Sequence, residues 1–138
     1  LTILITVFLL PMAVVGEDVV EPNAAVRVEI ISVIKSQVAA FRQDDGVAAF
    51  SFASPTIRTK FGDAGTFLAM VAAHYRPVYR PQQLKFLDLK SVEGQLVQRV
   101  MVIGPEGEFV LAMYSMVRID GRWRINGCFL VHPSGQRI

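Results

Sequence analysis

The chain has 138 residues, a formal net charge of +2, and 52% hydrophobic against 19% charged residues. That is enough for one domain, too apolar for disorder, and too nearly neutral to imply a polyanionic partner from bulk charge. A single cysteine excludes an intramolecular disulfide and a cysteine-rich zinc site.

Residues 1–15 carry no charge and are nearly all apolar; Gly16 follows, then Glu17 and Asp18. A short apolar run, a small residue and an abrupt polar start read as a secretory signal peptide over 1–16. Val14 and Gly16 occupy the positions preceding a cut at Glu17, with Ala13 offering an earlier one. A bilayer-spanning helix needs roughly 20 apolar residues, and Pro11 interrupts this segment. The expectation is therefore an exported protein, periplasmic or secreted, with one α+β roll domain over 17–138 and a core over about 24–131. No stable membrane span is expected in the mature form. Cys128, the lone cysteine, reads as a buried, inert thiol, and its distance from the leader argues against a lipoprotein anchor.

Residues 23–44 predict one long amphipathic helix with Asn23 as its N-cap. Ile30, Ile34, Val38 and Phe41 recur at spacings of four, four and three, with Ile31 beside them, and make one apolar stripe. Asp44-Asp45-Gly46 breaks that pattern, and Asp45 can cap a short helix over 46–53. Ser54-Pro55 restarts the chain as a cap with Pro at the first helical position, in a turn that ends at Gly62. Asp63 caps a further helix to about Tyr75, with Phe67, Leu68, Val71 and Ala72 inward. Pro77 and Pro81 then stop helix formation.

Beyond Pro81 the apolar period changes from 3.6 to 2. Strands are predicted over 84–90, 96–103, 109–119 and 122–131. Glu93-Gly94 reads as a turn, Gly104-Pro105-Glu106-Gly107 as a hairpin loop and Asp120-Gly121 as a primed hairpin turn. On the third strand Phe109, Leu111, Met113, Ser115, Val117 and Ile119 share a face. On the fourth, Trp123, Ile125, Phe129 and Val131 are expected to share one, with a bulge at Asn126-Gly127 that bends the sheet. Three short connections imply an antiparallel meander. The fold class is thus α+β: three N-terminal helices packed on a curved four-stranded antiparallel sheet, an α+β roll with a cone-shaped interior.

An ordered set of short motifs spans about residues 24–130. It comprises Gln37-Val-Ala-Ala-Phe-Arg-Gln-Asp-Asp45, Ala48-Ala-Phe50, Ala53-Ser-Pro55, Phe61-Gly62, Phe67-Leu-Ala-Met-Val71, Tyr79-Arg-Pro81 and Gly121-Arg-Trp-Arg-Ile-Asn-Gly-Cys128. With these the sequence resembles the bacterial family called domain of unknown function 4864, and is similar to the cystatin-like, nuclear-transport-factor-like superfamily. The resemblance implies the roll fold and export. It implies no activity, because the wider superfamily holds isomerases, dehydratases, hydrolases and non-enzymatic binding modules alike.

The chemistry-bearing residues are few. His74 and His132 are the two histidines, and neither has a second His or Cys at ligand spacing, so no metal and no cofactor is implied. There is no phosphate-binding glycine loop and no nucleophile elbow. Asp44 and Asp45 could perturb each other's ionisation, but a helix end followed by an N-cap explains both. Asp88 on the first strand either points into the apolar cone as a raised-pKa base, like that of a ketosteroid isomerase, or faces water beside Lys90. The stretch His74-Tyr75-Arg76-Pro77-Val78-Tyr79-Arg80-Pro81 sets aromatic rings beside guanidinium groups. Tyr75, Arg76, Tyr79 and Arg80 could hold an anionic or planar ligand, or could close the open end of the roll. Tyr114 is the natural interior partner of any pocket.

Charge is uneven: residues 17–45 hold six acids and three bases, residues 46–138 six acids and eleven bases. Arg118, Arg122 and Arg124 are expected on one strand parity as a basic stripe for an acidic partner. Export argues against nucleic acid. Two readings follow. In the first, the domain is a non-catalytic binding module for a protein partner or small ligand, with homodimerisation through the sheet. In the second, it is a small-molecule lyase, isomerase or hydrolase using Asp88, His74 or Tyr114 as acid or base, which requires at least two of them to face one cavity.

Overall fold

The computed structural model describes residues 24–133. The leader expected over 1–16 and the Asn23 cap lie outside the described residues. Five helices precede four strands: α1 (Ala24–Arg42), α2 (Gly46–Ser51), α3 (Pro55–Phe61), α4 (Ala64–His74), α5 (Arg76–Tyr79), then β1 (Gln83–Val92), β2 (Gln95–Ile103), β3 (Phe109–Ile119) and β4 (Arg122–Val131). The sheet is a single antiparallel meander in the order β1-β2-β3-β4. The α+β fold is as expected; the helix count is five rather than three. The turn after Ser54 closes into α3, and Pro77 sits in the first turn of α5, where its missing N–H costs no hydrogen bond.

The local signals explain the boundaries. The α1 stripe lands on the core, with Ile30, Ile34, Val38 and Phe41 all buried. Asp44 ends α1 at φ +51°, while the amides of Asp44 and Asp45 bond back to Phe41 and Ala40 at 3.0 and 2.9 Å. That is a Schellman-type stop with an aspartate at the left-handed position. Asp45, Ser54 and Asp63 each accept a bond from the amide three residues on and cap α2, α3 and α4. Glu93-Gly94 and Asp120-Gly121 both have positive φ at both residues, as two-residue primed hairpin turns require. Gly46 marks a close approach: a Cβ there would meet the Ala64 carbonyl at 3.2 Å, so α2 packs tightly under α4.

The sheet's inner face carries Val100, Val102, Val110, Ala112, Tyr114, Met116 and Ile125, which form one core cluster with Ile30, Ile34, Phe41, Phe67 and Val71 of the helices. The outer face carries Val97, Met101, Ile103, Leu111, Met113 and Val117, each half-buried. Two irregularities set which residue faces where. In β4 the register passes from Ile125↔Met116 to Gly127↔Ser115, so Asn126 is the extra residue of a bulge. The bulge was expected, but its effect on parity overturns the expected common face. Trp123 and Ile125 lie on the inner side, whereas Phe129 and Val131 are turned to the outer side opposite Met113 and Leu111. The expected basic stripe is also corrected. Arg118 lies opposite Trp123 with its guanidinium 5.7 Å from the indole, while Arg122 and Arg124 oppose Ile119 and Val117 on the other face.

In β1 the pairing skips from Phe86↔Val100 to Leu89↔Gln98. The buried Gln98 amide fills the gap, donating from Nε2 to the carbonyls of Leu87 at 3.0 Å and Arg99 at 2.8 Å. Carbonyls freed by the irregular ladder thus keep a partner.

Candidate functional site

The curved sheet and the helical layer do not close completely. Between α1, α3, α4 and the β3–β4 strands lies a half-open cavity of about 550 Å3. That is within the range of small-molecule sites, about 300–1,000 Å3. Its walls are mostly apolar: Phe41, Phe61, Phe67, Met70, Val71 and Ile125 among them. Three tilted aromatic contacts fix the rings, Phe67 standing 5.4–6.1 Å from Phe50, Phe61 and Phe41. The β4 bulge contributes directly, since Asn126, Gly127, Cys128 and Phe129 all line the cavity. Asn126 is held in place by the Ser54 hydroxyl, which donates to its side-chain carbonyl at 2.8 Å.

Tyr114 belongs to the inner face of β3 and lines this cavity at 1% exposure. Among the described residues three buried side-chain atoms make no hydrogen bond: Gln98 Oε1, Trp123 Nε1 and Tyr114 Oη. Of the three residues, only Tyr114 borders the cavity. Its cross-strand neighbour is Cys128, whose sulfur is a weak acceptor that the phenol approaches without making a full hydrogen bond. Burial drives the Tyr114 phenol well above its usual range, with the thiol adding to the effect. Burial likewise pushes the Cys128 thiol up to about 12, with Tyr114 opposing. Both groups therefore hold their protons at neutral pH, and Cys128 is a poor nucleophile. An unpaired buried hydroxyl costs roughly 1–3 kcal/mol, so Tyr114 is a donor in want of an acceptor.

At the mouth stand His74, at the end of α4, and Lys60, at the end of α3, both exposed. No lining residue is an aspartate or glutamate. Of the residues singled out in the sequence, the cavity brings together His74, Tyr75 and Tyr114. It leaves out Arg76, Tyr79, Arg80 and Asp88, and for each the partner is visible. Arg76 pairs with Glu106 at 2.9 Å. Tyr79 donates its hydroxyl to Asp44, Arg80 donates to Asp44 at 2.9 Å and to the Phe41 carbonyl, and the Arg80 guanidinium stacks 3.9 Å from the Tyr79 ring. These two side chains cap the end of α1. Arg42 completes the clamp by donating to the Pro81 carbonyl at 2.7 Å.

Asp88 does not enter the cone. The β1 irregularity places it outside, with Arg99 at 2.8 Å and Lys90 at 3.3 Å. Burial alone would raise its carboxyl, but the bond from Lys90 and the nearby charges outweigh that and hold it low. It is a surface ion-pair carboxylate, not an interior base. Lys60, Asn126 and Cys128 were not singled out as site residues. The bulge motif was legible as a bend, but only the register shows that it wheels Cys128 inward beside Tyr114.

Among the described residues no three His, Cys, Asp or Glu side chains converge on a metal position, and no helix is long and apolar enough to cross a membrane. No curated protein and no solved structure matches the chain. A family model does match, over residues 23–138, which covers every helix and strand described above. The chain belongs to the family of the domain of unknown function DUF4864.

Proposed function

We propose that the domain is a binding module whose cavity takes a small, largely apolar molecule carrying a neutral oxygen acceptor. The unpaired Tyr114 hydroxyl carries this reading: it lines an apolar space of about 550 Å3 and lacks the partner that a buried donor requires. A ligand oxygen accepting from Tyr114 Oη would supply it. The curved meander wrapped on a long helix also supports the wider cystatin-like, nuclear-transport-factor-like kinship.

The acid–base reading has weaker support. His74 and Tyr114 do border one cavity, but Asp88 is on the opposite face of the sheet, and the lining offers no carboxylate. Tyr114 and Cys128 keep their protons, and His74 is at the solvent-facing rim. Donors held protonated in an apolar space orient a ligand better than they abstract a proton from it. Assembly through the sheet is supported separately by the apolar outer face of β2 and β3.

The test is calorimetric titration with a neutral aryl ketone, 1-phenylbutan-1-one. Binding is expected in the wild-type protein and weakened about fivefold to tenfold in Tyr114→Phe, the worth of one hydrogen bond. Binding of the ketone with equal strength to both proteins would remove Tyr114 as the anchor and the reading with it.

A further inference from the structure

We infer that the cavity's ligand is an anion: a small apolar carboxylate that also carries a neutral oxygen, with its charged end at Lys60 and His74 and its neutral oxygen at Tyr114. The inference rests on the ligand-binding reading and adds to it the class of molecule. Three observations carry it. First, the ionisable side chains that border the cavity are Lys60, His74, Tyr75, Tyr114 and Cys128, and none is a carboxylate. Second, the two bases at the cavity mouth, Lys60 and His74, are free of ion pairs among the described residues, unlike Arg76 with Glu106, Arg80 with Asp44, and Arg99 and Lys90 with Asp88. The Lys60 ammonium instead stands 5.5 Å from the centre of the Phe61 ring, which is itself cavity wall. Third, the two polar ends are separated by an aromatic and aliphatic wall built from Phe61, Phe67, Met70 and Val71.

The physical reasoning is one of complementarity. A cation would meet Lys60 at the entrance and no carboxylate inside, so amines are disfavoured. A neutral ligand would satisfy Tyr114 and leave the mouth unused. An anion with an apolar body gains the Coulomb attraction of Lys60 at the rim and keeps its charge at the solvent-facing end. There it need not bear the desolvation that burial would impose. Its body replaces water against the rings, and its neutral oxygen reaches Tyr114, the buried donor without a full hydrogen bond that borders the cavity. A small aromatic oxo acid has these three parts.

Three probes of one skeleton separate the contributions. 4-Oxo-4-phenylbutanoate has both oxygen functions, 4-phenylbutanoate lacks the ketone, and 1-phenylbutan-1-one lacks the carboxylate. Each is titrated into the wild-type protein, Lys60→Gln and Tyr114→Phe. Lys60 is exposed, so its replacement leaves the fold intact. The oxo acid is expected to bind tightest. Its advantage over 1-phenylbutan-1-one is about threefold to fivefold, lost in Lys60→Gln and reduced by added salt. Its advantage over 4-phenylbutanoate is about fivefold and is lost in Tyr114→Phe. An oxo acid that binds no tighter than 1-phenylbutan-1-one overturns the anion inference, while a ketone still sensitive to Tyr114→Phe leaves the cavity reading standing. If Tyr114→Phe changes the binding of none of the three, the cavity reading falls and the anion inference with it.

Discussion

Tyr114 is the residue at which stability and site diverge. A tyrosine in a core normally hydrogen-bonds its hydroxyl, and its replacement by phenylalanine then costs about 1 kcal/mol. Here the hydroxyl is buried at the cavity wall beside the Cys128 sulfur, a weak acceptor, and makes no full hydrogen bond, so the ligand-free fold bears much of its desolvation. Tyr114→Phe is therefore expected to leave the unfolding free energy of the free protein, read from urea denaturation, unchanged or to raise it by up to about 1–2 kcal/mol. The same substitution weakens ligand. A loss of more than about 1 kcal/mol in the free protein would mean that the hydroxyl has a partner in solution and is ordinary core. The sequence offers Tyr114 as the interior partner of any pocket from its place on the third strand. That its hydroxyl lacks a partner depends on which atoms stand beside it, and no periodicity carries that.

The junction from α1 to α5 is an element-scale device. Asp44 ends α1 in the left-handed conformation and receives the Tyr79 hydroxyl and the Arg80 guanidinium. The bond from Tyr79, then that from Arg80, holds the Asp44 carboxyl below its ordinary 3.8. The Asp44 bond in turn holds the Tyr79 phenol above its ordinary 10.0. A carboxyl depressed on folding contributes stability above its ordinary value and loses it as pH falls through the depressed one. A phenol raised on folding contributes below its ordinary value and loses it as pH rises through the raised one. The clamp is thus intact through the neutral range and released at both extremes. Asp44→Asn tolerates the same backbone conformation but cannot ionise. Its thermal midpoint is expected to fall less between pH 5 and pH 3 than that of the wild-type protein. Equal acid slopes for the two proteins would show that Asp44 is not held by the clamp.

The same junction shows what the sequence conveys at this scale. Caps at Asp45, Ser54 and Asp63, and the turns Glu93-Gly94 and Asp120-Gly121, were legible because each is a local hydrogen-bond or dihedral requirement. The roles of Tyr79 and Arg80 were not, because Asp44 lies 35 and 36 positions away from them in the chain. The irregularities at Phe86–Leu89 and Asn126 were the decisive hidden terms. An extra residue shifts every later side chain to the other face, so Asp88 went outward, Cys128 inward and Phe129 outward against simple alternation. Glycine beside asparagine announced the bulge in β4 without fixing which residue is left unpaired.

At the scale of the molecule, the sheet has one face committed to the helices and one that none of the described helices covers. Val97, Met101, Ile103, Leu111, Met113 and Val117 run across the outer side of β2 and β3, and Phe109 at its end is 38% exposed. Asp88 pairs with Arg99 and Lys90, and the other charges of this face, Lys85, Arg122 and Arg124, stand on the flanking strands β1 and β4 rather than on β2 and β3. Four strands of about ten residues present roughly 600 Å2 at a rise of about 3.3 Å per residue and a strand spacing of about 4.8 Å. Two copies stacked face to face would bury roughly 1,200 Å2, the lower edge of a stable interface. The molecule is therefore expected to pair through this face in a two-fold arrangement that dissociates in the micromolar range. Native mass spectrometry at about 10 μM should show the dimer in the wild-type protein. Met113→Lys places a charge at the centre of the face, opposite Arg99 and Phe129, and should give monomer. The substitution is on the far side of the sheet from Tyr114, so ligand titrations should be the same in both. A wild-type protein that stays monomeric at 100 μM would assign this apolar face to something other than a second copy.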